Sequence, residues 1–132
     1  LPNAPVPYAT TSGFIDKTFV LVRGQAQWGN IWTTIHKNRR PVPEPPALDF
    51  ARQMVLVAAL GRRPTSGYRI ELGDVSVENE VIRATVLIDE PGRGCIVSQG
   101  MTSPLDLLLL PVVPGELEIR EQVKSTDCES LQ

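Results

Sequence analysis

His36 is the single histidine of the chain, and Cys95 and Cys128 are its two cysteines. Nucleophilic catalysis needs a Ser or Cys beside a base. His36 belongs to an N-terminal segment remote in sequence from both cysteines, and the one basic residue near Cys95 is Arg93. No Gly-x-Ser-x-Gly and no phosphate-binding loop occurs. Structural zinc wants four Cys or His ligands at close spacing, and one His with two distant Cys does not supply them. Carboxylate pairs are the remaining chance for acid–base chemistry: Asp89-Glu90, Glu78 with Glu80, and Glu116 with Glu118. Such work needs a partly buried acid with a raised pKa, whereas these pairs fall at turns or on solvent-facing alternations. The residues therefore predict a non-enzyme without metal or cofactor, whose single His caps a helix or sits on the surface.

The cysteines have a simpler use. An even pair in a small chain suits a disulfide in an oxidising compartment. Closing the 33 positions from Cys95 to Cys128 would stabilise by roughly 3–4 kcal/mol through lost chain entropy. Two unrelated free thiols are the other reading. The chain starts at Leu1, not Met, so a preceding segment is expected to have been removed, either by the cell or in cloning; a signal peptide or lipobox cysteine, neither of them visible, could have gone with it. A length of 132 residues fits one domain. With 13 Lys and Arg against 15 Asp and Glu, the net charge of −2 lacks the basic excess of a nucleic-acid binder. The longest apolar run, Leu107 to Val113, contains Pro111 and falls far short of the roughly 20 residues of a membrane helix.

The elements that would position these residues are mostly strands. Residues 18–23 (TFVLVR) are β-branched and aromatic, as a strand requires. Trp28, Ile31, Trp32 and Ile35 then recur at i, i+3, i+4 and i+7, predicting a helix from about Gln25 to Lys37 with both tryptophans in the core. Pro41, Pro43, Pro45 and Pro46 make an extended tract, read as a stiff linker, with an aromatic-groove ligand as the alternative. Beyond it, Gln53–Leu60 is almost wholly apolar and predicts a strand buried on both faces. Alternating stretches predict strands at Tyr68–Val77 and Gly115–Val123; Val81–Asp89, the short strand-like Cys95–Met101 and the strongly apolar Leu105–Leu110 are read as strands too. The leucines of 105–110 are expected in the core, with an exposed self-assembling edge as the alternative.

The connections are too short for parallel crossovers. The expected fold is mainly β (α+β): an antiparallel sandwich or open barrel of about six or seven strands with one N-terminal amphipathic helix. The expected layout is a single domain over 1–132. It comprises a Pro-rich leader (1–17), strand plus helix (18–40), linker (41–47), β core (48–123) and polar tail (124–132).

In an up-and-down chain every second connection lies at one end. Residues 61–67 (GRRPTSG), 89–94 (DEPGRG) and 111–115 (PVVPG) should then converge there. Proline stiffens such loops and lowers the entropy lost on binding. The expected contact surface comprises Arg62, Arg63, Pro64, Thr65, Ser66, Gly67 and Tyr68 together with Pro91, Gly92, Arg93 and Gly94, the arginines forming a cationic rim. Pro64 presets a turn, Gly67 can take positive φ, and the Thr65 and Ser66 hydroxyls can bond back to the backbone.

Several of these pieces resemble one family. They are Leu48-Asp49-Phe50, the apolar strand Met54-Val55-Leu56-Val57, Gly61-Arg62-Arg63-Pro64-Thr65-Ser66-Gly67-Tyr68, Pro91-Gly92-Arg93-Gly94-Cys95, and Pro104-Leu105. Together they are similar to the C-terminal domain of the protease complex subunit PrcB family, over residues 48 to about 112. The resemblance implies an extracytoplasmic bacterial protein, periplasmic or at the surface, without catalytic activity. The family's name-giving member is a lipoprotein of a surface protease complex, so a protease or another complex subunit is the implied partner and a lipid anchor the implied attachment. Pro64-Thr65-Ser66-Gly67-Tyr68 is also similar to the first loop of chagasin-type cysteine peptidase inhibitors, in which three loops at one end of a sandwich plug a protease cleft. Arg63 stands where those have Asn, and residues 111–115 lack the Arg-Pro-Trp of their third loop. That likeness implies the alternative function, peptidase inhibition through the PTSGY loop.

Overall fold

A helix covers one face of a four-stranded sheet, and a three-stranded sheet covers the other. The structure, a computed structural model, describes residues 4–5 and 12–128. In chain order the elements are β1 (Ala4–Pro5), β2 (Thr18–Val22), α1 (Gln25–Ile35), β3 (Gln53–Ala59), β4 (Arg69–Glu78), β5 (Val81–Pro91), β6 (Leu105–Pro111) and β7 (Glu116–Thr126). The first sheet has the order β1-β6-β3-β2 and the second β4-β5-β7. Most of the expected leader, and residues 129–132 of the expected tail, lie outside the described residues.

The apolar run of β3 explains the layering. Strand side chains alternate between faces, and from Met54 to Ala59 both sets are buried. Met54, Leu56 and Ala58 face the second sheet, where they join Ile70, Leu72, Val75, Ile82, Ala84, Val86 and Ile88. Val55, Val57 and Ala59 face the helix, where they join Val22, Trp28, Trp32, Ile35, Leu105 and Leu107. The predicted helical stripe is therefore the core stripe, and the rings of Trp28 and Trp32 lie 5.4 Å apart. The leucines of β6 serve both cores: Leu105 and Leu107 are buried on the helix side and Leu110 between the sheets, and β6 lies between β1 and β3 rather than at an exposed edge.

The helix stops two residues before the expected Lys37. His36 caps it and is buried, with its ring 4.2 Å from that of Trp32 and its Nδ1 3.1 Å from the Trp32 carbonyl. The surface placement allowed for this residue is thus corrected: the Trp32 ring covers it. The proline tract is a strap rather than a free spacer. The Trp32 indole N–H donates to the Pro43 carbonyl at 2.7 Å, and that of Trp28 donates to the Pro46 carbonyl at 3.2 Å. Strand β2, from the N-terminal segment, is hydrogen-bonded along β3 from Thr18↔Ala59 to Val22↔Val55.

Among the described residues, four of the five strand pairings are antiparallel; β5 with β7 is parallel, in unbroken register from Val81↔Glu116 to Pro91↔Thr126. The all-antiparallel expectation fails here because the link from β5 to β7 runs through β6 in the other sheet. That path is long enough for a parallel crossover. The predicted strand at Cys95–Met101 is also absent; those residues form an irregular loop.

Candidate functional site

The strand register decides which loops meet. Arg69 pairs with Asp89, and Ala59 pairs with Leu105. The links 60–68 and 92–104 therefore leave the sandwich at the same end. Residues 112–115 lie at the opposite end, beside the turn at Asn79 and Glu80. There the Glu116 amide donates to the Glu80 carbonyl at 3.1 Å, and Arg23 Nη1 donates to the Val113 carbonyl at 2.8 Å. The expected convergence of three loops is thus corrected to two. The alternation of ends itself holds, but the predicted strand at Cys95–Met101 is absent, so residues 112–115 are the fourth connection of the β region rather than the fifth and fall at the other end.

The C-terminal end of β7 takes the third place. Cys95 and Cys128 form a disulfide. Around it, the Gly92 amide donates to the Thr126 carbonyl at 2.9 Å, the Arg93 amide to Asp127 Oδ1 at 2.8 Å, and the Cys128 amide to the Arg93 carbonyl at 2.7 Å. Glycine at position 92 is required by closeness: a β-carbon there would stand 2.6 Å from the Thr126 carbonyl oxygen.

The two loops are zipped together along their length. Arg63 and Thr102 form an isolated bridge with amide-to-carbonyl distances of 2.7 and 2.9 Å. Thr102 Oγ1 donates to the Thr65 carbonyl at 2.8 Å. The Ser66 amide donates to the Ser98 carbonyl at 3.1 Å, and the Ser98 amide donates to Ser66 Oγ at 2.8 Å. The Thr65 hydroxyl donates to the Ser66 carbonyl, as its place in the turn suggested. Gly67 has φ +96°, the left-handed conformation expected of it. Tyr68 is half-buried against the inter-sheet core, and the Arg63 guanidinium carbon lies 5.9 Å from its ring centroid.

These contacts change the character of the rim. Arg93 faces Asp127 at 3.7 Å, and Arg63 is drawn over Tyr68. Arg62 is exposed, as are Pro64 and Gly94, while Pro91 is half-buried. The tip is instead apolar: Ile96 is 101% exposed and Met101 67%. Residues 94–105 carry no charged side chain. Beside the loops lies a shallow hollow of about 340 Å³ lined by Gly67, Arg69, Asp89, Pro91, Ile96 and Val97, among others. The sequence reading missed Ile96, because Cys95-Ile96-Val97 looks like a strand; its charge-free flanks were the available signal.

Among the described residues, no group of three or more His, Cys, Asp or Glu could hold a metal ion. Nor, among them, is any helix long and apolar enough to cross a membrane. No curated protein and no solved structure matches the chain. The two zipped loops and the strands that carry them, β3 to β6, coincide with a family match: residues 54–111 fit the family model described as PrcB C-terminal.

Proposed function

We propose that this protein is a non-catalytic interaction domain, acting outside the cytoplasm in the manner of a protease-complex subunit. The observation that carries the reading is Ile96, an apolar side chain wholly in solvent on a loop fastened by a disulfide and by backbone bonds to its neighbour. Rigid presentation of an apolar residue lowers the ordering entropy of binding, and a buried anchor of this kind dominates interface energetics. The partner is a protein, a protease or a subunit of its complex, with an apolar pocket for Ile96. Arg62, Pro64, Thr65, Ser66 and Gly67 form one flank of the contact and Pro91, Gly92, Arg93 and Gly94 the other. The PrcB C-terminal match supports the protease-complex setting. The disulfide supports an oxidising compartment. The burial of His36 and the bridging of Cys95 support the absence of catalysis. The inhibitor alternative loses ground, since its wedge needs three loops at one end and here the third lies at the other.

A photo-crosslinking residue at position 96, introduced in cells that make the protein naturally, tests this. Its expected product is one defined protein adduct, absent when the probe stands at Thr85 on the outer sheet face. Equal labelling from both positions, or none from position 96, would defeat the assignment. Inhibition of a papain-like enzyme at micromolar protein would restore the inhibitor reading.

A further inference from the structure

β7 forms the outer edge of the three-stranded sheet, and among the described residues no strand is hydrogen-bonded to its other side. An open edge presents unpaired N–H and C=O groups to any chain that can match it. Charge is the one usual defence here, on five of the eleven residues; proline and bulges are not used. Residues 116–126 contain no Gly or Pro, and the register with β5 runs without a bulge. The charges along the strand are ordered, with Glu116 and Glu118 near its start, Arg120 and Glu121 at its middle and Lys124 near its end; Glu121 is held by Lys17 at 2.7 Å, while the exposed Lys124 has only a loose contact with Asp89 at 4.0 Å that a closer carboxylate can replace. Such a strand repels a parallel copy of itself and attracts an antiparallel one.

We propose that β7 is the seam of a homodimer in which two copies of this strand pair antiparallel about a two-fold axis at Arg120. In that register Glu116 faces Lys124 of the second copy twice, and Glu118 faces Gln122 twice. Leu117 faces Val123, whose 59% exposure is thereby reduced. Glu116 has no ion pair among the described residues and is free to take the new one. The two Arg120 residues meet at the axis, each 3.5 Å from its own Glu118, a carboxylate it shares with Arg83. The second copy is favoured over an unrelated strand because the complementarity is internal to one sequence.

Sedimentation of the full chain over a range of concentrations tests the seam, with melting curves to verify folding. The expected result is a concentration-dependent dimer. Lys124→Glu and Glu116→Lys should each raise the dissociation constant about tenfold or more, since each turns two cross-strand attractions into repulsions. An equimolar mixture of the two variants should associate as the parent does, because each charge then faces its opposite. Rescue can occur only between chains: positions 116 and 124 of one strand are roughly 26 Å apart. A monomer at every concentration overturns the proposal, as does a dimer indifferent to both substitutions or a mixture that fails to associate. Slowed amide exchange over 116–124 on raising the concentration is an independent expected sign, and unchanged exchange is a refutation even if a variant misfolds.

Discussion

The Arg93 amide donates to the Asp127 carboxylate at 2.8 Å, and the Cys128 amide donates back to the Arg93 carbonyl at 2.7 Å. This two-way pairing and the neighbouring disulfide hold one end of β7 against the loop that presents Ile96. Strand, loop and apolar tip thus form one mechanical unit.

Replacing both Cys95 and Cys128 by Ser leaves the hydrogen bonds but removes the closure of a 33-residue separation. The expected loss is roughly 3–4 kcal/mol, measured from the urea midpoint. Amide exchange over 92–102 should quicken more than over 53–59, because the buried strand does not depend on the bridge. Equal quickening in both would show that the loop was not selectively fastened.

Gly92→Ala should cost about 1–3 kcal/mol, the usual range for forcing atoms into occupied space. The added carbon would collide with the Thr126 backbone. Gly100→Ala is the matching control, since a β-carbon there meets nothing within 4 Å. A denaturation series comparing the two should separate them clearly; coincident curves would remove the close approach from the account.

Asp106 ties the two sheets together. Its Oδ2 accepts the Leu72 amide from β4 at 2.8 Å, beside the irregularity between Leu72 and Val75, and its Oδ1 accepts the Leu107 amide at 2.9 Å. Asp106→Ala leaves the Leu72 amide without this acceptor and should lower stability by about 1–3 kcal/mol. Asp106→Asn retains an acceptor oxygen, so thermal melting should place it between the parent and the alanine variant.

Ile96→Asp should change stability by no more than about 0.5 kcal/mol, because the side chain is wholly in solvent. It should nevertheless abolish partner capture. Trp28→Ala provides the contrast, with an expected loss of about 3–5 kcal/mol from the helix-side core. Capture assays alongside melting curves read both effects, and a strongly destabilised Ile96 variant would contradict the exposure argument.

Periodicity made much of this fold legible. The stripe of Trp28, Trp32 and Ile35 and the apolar run of β3 each had one plausible burial, and the turn after Glu78 was announced by its polar residues. Sheet membership was not legible. The antiparallel rule relied on the length of each local connection, and β6, lying between β5 and β7 in sequence, belongs to the other layer. The misplacement of residues 112–115 has another origin: the strand expected at Cys95–Met101 does not form, and its loss shifts every later connection to the opposite end. Ile96 escaped notice for a different reason: a run of three consecutive apolar residues reads the same whether or not a neighbouring strand exists to cover it. The turn chemistry of Thr65 and Gly67, being local, was legible, whereas the Ser66 hydroxyl bonds across to the Ser98 amide of the other loop rather than back to its own turn.

The parallel union of β5 with β7 has a consequence for shorter versions of the chain. A fragment ending at Pro111 would keep the family-matching stretch but leave the whole flank of Val81–Pro91 bare. Such a fragment should clump with its own kind, because eleven residues of newly uncovered margin would seek any available strand.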